Sequence, residues 1–241
     1  MKGFLLIVLL LATIIRTNAQ AGITPTVGYV DPAMGHNRLI REQTGDGVYK
    51  LIGPYKVVGT PFLFGDRNKG NLYSVEAIAV NIQLSYNTYN QELEFFSGEN
   101  INRPLVKMPG EVDSFVFMAN KSVGLTQDIH FVYGKFVGSS DKAYFQEVAA
   151  GPKMGIYKRY KSDLGYVSSN YVQSELRQFD LLFDYFIFNA STRSIKKLKY
   201  NPSNFQKEMN AYRDVSSVLT SDEFSTNPDE TIRKAVQLIH Q

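Results

Sequence analysis

The three histidines have the widest chemical range of any side chains in this sequence, and they are spread along it. They are His36, His130 and His240. No two of them have the i, i+4 spacing of a helical metal site, and no H-E-x-x-H motif occurs. His130 falls in a predicted strand, and His240 falls at the C-terminus of a predicted helix, where a histidine is electrostatically favourable. The pattern favours structural roles over a metal or catalytic site.

Two pairs of carboxylates could support the acid–base chemistry that glycosidases use. Glu92 and Glu94 share one face of a predicted strand, and Asp180 and Asp184 do so if their strand is continuous. A catalytic pair needs a cleft and a defined separation between its carboxyl groups. Charged residues that alternate with apolar ones usually mark the wet face of a strand. We therefore expect Glu92 and Glu94 to point outward.

Motifs for nucleophiles, metals and cofactors give no support to an enzymatic function. The chain has no cysteine and no G-x-S-x-G elbow. Residues 66–70 begin like a calcium loop, but Ala77 at the twelfth position cannot supply the closing carboxylate, so a turn between strands is the better interpretation. The sequence predicts no catalytic residue, no metal ligand and no cofactor, and it leans towards a protein that is not an enzyme.

One cationic cluster is the candidate partner-binding site. It consists of Arg193, Lys196, Lys197 and Lys199 on the last predicted strand. The simpler interpretation is a solvated edge strand whose lysines prevent aggregation between sheets. The alternative is an electrostatic contact with an acidic partner or with phosphates of the lipid A type.

The N-terminus has the pattern of a cleavable secretory signal. Lys2 precedes an apolar run over 4–15, and the small residues Thr17 and Ala19 place the cut after Ala19. The run is shorter than the ~20 residues of a membrane span, although an uncleaved anchor remains the alternative. Without cysteine the chain can be neither a lipoprotein nor a disulfide-bonded protein. We expect an exported protein, periplasmic or associated with the outer membrane or cell surface, with no transmembrane span after cleavage.

The charge balance argues against a nucleic-acid partner. The chain has 26 basic and 23 acidic residues, and the loss of Lys2 and Arg16 with the signal leaves the mature protein close to neutral. A protein without an excess of positive charge has no general attraction to nucleic acid. We expect the partner to be another envelope protein or a lipid.

Periodicity divides the mature chain into three parts. Residues 20–57 are rich in Gly and Pro and predict an extended arm. Residues 58–200 alternate apolar and polar residues over about ten strands, with separate runs at 168–179 and 181–189. In the clearest strand the apolar face is formed by Ile78, Val80, Ile82, Leu84 and Tyr86.

The last part, 201–241, predicts a helical tail packed on the β domain. Asn201 and Asn227 are helix caps, each followed by proline, and Glu230 would complete a capping box with Asn227. The predicted fold class is mainly β, with antiparallel sheets in a sandwich or a curved sheet and a C-terminal α-helical tail, α+β overall.

Several strand and turn segments resemble a group of uncharacterised exported β-rich proteins of Bacteroidota. The likeness spans roughly 59–240 and is carried by G-x-P-[FY]-L before a YN turn and by aromatic strand positions: Gly59-Thr60-Pro61-Phe62-Leu63, Tyr86-Asn87, Tyr144-Phe145, Gly155-Ile156-Tyr157 and Asp184-Tyr185-Phe186. These motifs are structural. No activity is established for the group, so the resemblance implies no functional residue.

Three functions are compatible with these patterns. The leading hypothesis is an exported cell-envelope protein that acts as a non-enzymatic binding or assembly component. The first alternative is a periplasmic carrier of a hydrophobic or lipid ligand, since a curved sheet backed by helices can enclose an apolar pocket. The second alternative is an exported hydrolase, which would need carboxylates or a histidine to converge in a cleft.

Overall fold

The computed structural model describes residues 40–44, 47–52, 55–96, 104–166 and 176–241. The predicted signal segment, His36 and the first half of the predicted arm lie outside these residues. The described residues fall into two compact units, one of those up to Val58 together with Leu176, and the other of those from Gly59 to Tyr166 and from Arg177 to Gln241.

The described part of the first unit consists of three short strands. They are β1 (Ile40–Thr44), β2 (Gly47–Ile52) and β3 (Tyr55–Val58), and consecutive strands pair antiparallel. The extended arm predicted over 20–57 is therefore replaced by strands in its second half. These segments contain β-branched and aromatic residues, which favour strands. Gly45, Gly53 and Pro54 fall in the sequence between the strands, where turn-forming residues are common.

The second unit contains one large antiparallel sheet, which confirms the mainly β fold class. Its strands pair in the order β13-β12-β11-β10-β9-β8-β4-β5-β6-β7. The end of the run predicted at 168–179 and the run predicted at 181–189 form one continuous strand from Leu176, while residues 168–175 lie outside the described residues. The bounds are β4 (Phe62–Tyr73), β5 (Ile78–Asn87), β6 (Glu92–Phe96), β7 (Leu105–Lys107), β8 (Ser114–Phe117), β9 (Ile129–Tyr133), β10 (Tyr144–Ala150), β11 (Met154–Tyr166), β12 (Leu176–Asn189) and β13 (Ser194–Leu198).

The chain after β13 forms three helices, α1 (Pro202–Met209), α2 (Ser221–Thr226) and α3 (Pro228–His240). The two predicted caps are present, since Asn201 accepts from Asn204 N at 2.8 Å and Asn227 accepts from Glu230 N at 3.4 Å. The unpredicted helix α2 uses the backbone N–H of Asn227 at its own C-terminus. Among the described helices, none has the length and apolarity that a membrane crossing requires.

The three helices pack on one face of β10–β13. Their buried residues share a core with Met154 and Ile156 of β11 and with Tyr185 and Ile187 of β12. The helical contribution to this core is Phe205, Met209, Phe224, Ile232, Ala235, Val236 and Ile239. The apolar stripe of the amphipathic helix α3 is thereby removed from water. Such burial is the main source of stability for a short helix.

A second core consists largely of aromatic rings and shows that the sheet is strongly curled. Tyr86 of β5 lies 5.8 Å from Tyr144 of β10, although three strands separate β5 from β10 in the sheet order. The turn after β5 also reaches β11, where Thr88 Oγ1 lies 2.6 Å from Ser162 Oγ. Rings therefore fill the interior of the curl.

A β-bulge changes which residues of β5 face this core. Ile82 pairs with Gly70 and Ala79 pairs with Leu72, so two residues of β5 oppose one residue of β4. The extra residue reverses the alternation, and Ile78 and Val80 are 67% and 63% exposed. The apolar stripe predicted from Ile78 to Tyr86 is correct from Ile82 onward and wrong before it.

Candidate partner-binding site

The four predicted cations lie on the β12–β13 hairpin but do not form a single patch. Lys196 and Lys197 are neighbours on β13 and so point to opposite faces of the sheet. Lys196 Nζ lies 2.8 Å from Glu208 of α1, and Lys197 Nζ lies 2.7 Å from Asp184 of β12. Among the described side chains Lys199 has no ion pair.

Arg193 occupies the turn between the two strands with a φ of 48°. A positive φ is uncommon for a residue other than glycine and belongs here to the tight hairpin connection. The turn packs against Gly138, where an added Cβ would lie 2.2 Å from Arg193 O. Arg193 is thus a structural turn residue, set apart from the three lysines.

Two of the predicted lysines lie beside exposed aromatic rings. A pocket of about 460 Å³ opens where β13 ends, and Lys197 and Lys199 line it with Phe183, Asp184, Tyr185, Leu198 and Tyr200. Phe183 and Tyr200 are 42% and 53% exposed. We call this feature the aromatic pocket. Its rings come from β12 and from the residue after the lysine cluster.

The rings of the aromatic pocket are held in a fixed arrangement. Tyr200 stacks on Tyr185 with a centroid distance of 5.6 Å and an interplanar angle of 5°. Phe183 meets Tyr200 edge-on, also at 5.6 Å. Such ring pairs contribute roughly 0.5–1.5 kcal/mol beyond burial of their area. A partner would therefore meet preformed rings, which lowers the entropic cost of binding.

A half-buried ion pair lies beneath these rings. Lys158 Nζ of β11 is 3.3 Å from Asp229 Oδ2 in the first turn of α3, and its side chain is only 11% exposed. The Lys158 ammonium also lies 4.5 Å from the Phe183 ring centroid and 5.0 Å from that of Tyr185. The Tyr185 hydroxyl donates to Asp229. Burial and then the Asp229 charge raise the pKa of Tyr185, which keeps its hydroxyl neutral.

Asp184 neutralises much of the positive charge at the pocket rim. It lies 3.1 Å from the Arg159 guanidinium as well as 2.7 Å from Lys197 Nζ. Burial raises the pKa of Asp184, but the hydrogen bonds and charges of Lys197 and Arg159 outweigh it and hold the pKa below its ordinary value. Lys199 is consequently the cation of this pocket that remains open to a partner.

We expect the Asp184 network to stabilise the fold in a pH-dependent manner. A carboxyl group whose pKa is lowered by folding adds stability above its ordinary pKa of about 3.9, and this stability is lost as the pH falls through the folded value. Asp184→Asn should lower the urea midpoint at neutral pH, and the deficit should shrink in acid. Asp163→Asn, at a half-exposed carboxylate paired with Lys161, is the control. A deficit that is constant with pH would contradict this role.

The two glutamates that were predicted to lie on the solvent-exposed face of a strand are buried. Glu92 and Glu94 are 9% and 1% exposed, so the predicted outward orientation is wrong. β6 is an internal strand between β5 and β7, and the residues opposite these glutamates, Asn87 and Ser85, are buried as well. Protein covers this face, so alternation alone did not identify the solvent side.

The catalytic groups considered from the sequence do not converge. His130 is exposed on β9, whereas Glu92 and Glu94 of β6 are buried. Asp180 and Asp184 do share the continuous strand β12, but Asp184 is paired with two cations. His240 Nε2 lies 3.3 Å from Met154 O. Within the described residues no group of three His, Asp or Glu side chains could hold a metal ion.

The segment that begins like a calcium loop is a bulge within a strand instead of a turn between strands. Leu63 pairs with Tyr86 and Asn68 pairs with Leu84, so four residues of β4 oppose Ser85 alone. The Asn68 amide donates to Phe64 O at 3.2 Å and thereby closes the bulge. This local bond gives Asn68 a structural role in the bulge.

Comparisons of the chain with protein-family models, curated proteins and solved structures find no significant match. The resemblance to exported proteins of Bacteroidota therefore stays a prediction. Function has to be argued from the site, and the aromatic pocket is the feature in which predicted cations and exposed aromatic rings meet.

Proposed function

We propose that this protein is an exported, non-enzymatic component of the cell envelope that binds another envelope protein through the aromatic pocket. The observation that carries the proposal is the pair of half-exposed rings, Phe183 and Tyr200, beside Lys199, which has no ion pair with any side chain in the described part of the chain. Exposed aromatic residues are common anchors of protein interfaces.

The chemistry of the pocket specifies its partner. An apolar or aromatic side chain of the partner would cover Phe183 and Tyr200 and remove their exposed area from water. A carboxylate beside that side chain would meet Lys199. Complementary charge of this kind raises the rate of association and selects among partners more than it adds affinity. The partner surface is therefore acidic with a protruding apolar group.

The two alternative functions have less support. A carrier would need space inside the curled sheet, but Phe115 and Phe131 stack there at 4.6 Å and Tyr86 and Tyr144 pack against them. A hydrolase would need Glu92, Glu94 and His130 in one cleft, but the two glutamates are buried while His130 is exposed. The signal pattern at the N-terminus supports the export that we propose.

Site-specific photocrosslinking in intact envelopes tests this function. A photoreactive residue at position 199 of the full-length chain should give one discrete protein adduct, and added salt should weaken it. Phe183→Ser in the same chain should abolish that adduct. The matched control carries the photoreactive residue at Lys121, an exposed lysine far along the chain from the pocket. Equal adducts from both positions, or an adduct insensitive to Phe183→Ser, would refute the proposal.

A further inference from the structure

A second surface shares no lining residue with the aromatic pocket. It is a groove of about 500 Å³ between the end of β10 and the C-terminal half of α3. Five consecutive residues, 148–152, form one wall, so the end of β10 and the turn after it line the groove. The other wall comes from α3 through Arg233, Val236, Gln237 and His240.

The strand wall of this groove has a free edge. β9 pairs with β10 only at Tyr144, Phe145 and Gln146. From Glu147 to Ala150, β10 continues its ladder with β11 on one side, and among the described strands nothing pairs with its other side. An unpaired strand edge presents backbone donors and acceptors in a row and is a template for an added strand.

The direction of the backbone groups follows from the turn between β10 and β11. Gly151 N–H donates to Met154 O at 3.0 Å, and Ala149 pairs with Ile156. In an antiparallel ladder, alternate residues direct their N–H and C=O groups to opposite edges. Because Gly151 and Ala149 bond towards β11, Ala150 directs its backbone groups towards the groove.

The helix wall defines the side chains that would fit. Val148 and Val236 are buried and give an apolar floor. Arg233 stands at the rim with a side chain that is 27% exposed, and its Nη1 donates to Glu230 at 2.8 Å. A guanidinium has five N–H donors, so a partner carboxylate would share Arg233 with Glu230. The residues lining the groove include this arginine and His240 but no Asp or Glu. One end is closed because the His240 ring lies directly over Gly151, where an added Cβ would be 2.1 Å from it.

We propose that this groove binds an extended, acidic peptide segment of a partner protein by strand addition to β10. The peptide would exchange backbone hydrogen bonds with Ala150, place a small apolar side chain against Val148 and Val236, and direct a carboxylate to Arg233. Strand addition draws affinity from the main chain and specificity from alternate side chains. The groove volume lies within the range of ordinary ligand sites, about 300–1,000 Å³.

Selection from a displayed library of random dodecapeptides on the immobilised mature protein tests this site. Enriched peptides should share an acidic residue and an apolar residue at alternate positions. Fluorescence anisotropy with an enriched peptide should then show binding that Ala150→Pro weakens at least about tenfold, equivalent to ~1.4 kcal/mol. Proline removes the outward N–H and leaves the bonds to β11 in place. Ala150→Gly, which retains the N–H, is the matched control and should bind like the parent.

A second variant keeps the test valid if Ala150→Pro unfolds. Gln237→Trp fills the groove from the helix side without altering β10, and it should also abolish binding while the melting temperature stays unchanged. Peptides without an acidic preference, binding that both variants leave intact, or no enrichment at all would overturn the proposal. A synthetic peptide of residues 20–39 that displaces the enriched peptide with equal affinity would also overturn it, since the occupant would then be this chain itself.

Discussion

Replacing Phe115 by alanine should lower the free energy of unfolding by about 3–5 kcal/mol, the range for a buried aromatic truncated in a packed core. Phe115 is fully buried and stacks on Phe131 at 4.6 Å with an interplanar angle of 4°. It also contacts Tyr86, Phe117 and Tyr144. Truncation of Phe115 would leave a cavity lined by rings from four different strands. Because a local shift cannot close such a cavity, most of the lost unfolding free energy should not be recovered by relaxation.

Urea unfolding followed by far-ultraviolet circular dichroism measures this effect, and the melting temperature should fall by about 10 °C. The matched control is Phe136→Ala, because Phe136 is 52% exposed and lies outside the aromatic core. It should change the unfolding free energy by less than about 0.5 kcal/mol. Similar losses for the two variants would show that the core of the curled sheet is not packed as described.

Removal of the Asp229 carboxylate should destabilise the protein by about 2–3 kcal/mol. Lys158 is largely buried, and without Asp229 its charge would lose its anionic partner. Loss of one partner of a fully buried pair costs about 3–5 kcal/mol. We expect the smaller cost of about 2–3 kcal/mol here because the Asp229 side chain is 24% exposed. Asp229→Ala would also leave the Tyr185 hydroxyl without its acceptor.

Two companion variants separate the ion pair from other effects of Asp229. Glu230→Ala removes the next carboxylate in the same helical turn, so it matches the loss of favourable charge at the helix N-terminus, and it should cost less than about 1 kcal/mol. Lys158→Met combined with Asp229→Ala should recover much of the lost stability, because no unpaired charge then remains. Additive losses in the double variant would exclude a coupled pair.

Features with local causes could be predicted from the sequence. The helix caps Asn201 and Asn227 were identifiable because a cap depends on a side chain and a backbone N–H only a few residues away. Most strand positions were identifiable because alternation is a local property. The capping box at Asn227 was only half correct, since its backbone N–H bonds to Glu223 of α2 and Glu230 pairs with Arg233 instead.

Features that depend on distant parts of the chain could not be predicted. The burial of Glu92 and Glu94 depends on neighbours across the sheet, and the exposure of Ile78 depends on a bulge that alternation does not reveal. At the candidate site the sequence identified Lys197 and Lys199. It missed Phe183 and Tyr185, because only the pairing of β12 with β13 brings their strand beside the lysines.

The contact between Thr88 and Ser162 has a consequence for folding kinetics. The two hydroxyls are 74 positions apart, so a long loop has to close before the turn after β5 can dock on β11. Proteins rich in such distant pairings fold slowly, typically in milliseconds to seconds. During this delay the free edge of β10 and the apolar residues Ile78 and Val80 face solvent together with the unfinished core. The folding intermediate should therefore be the most aggregation-prone species of this chain, and refolding yield should fall as protein concentration rises.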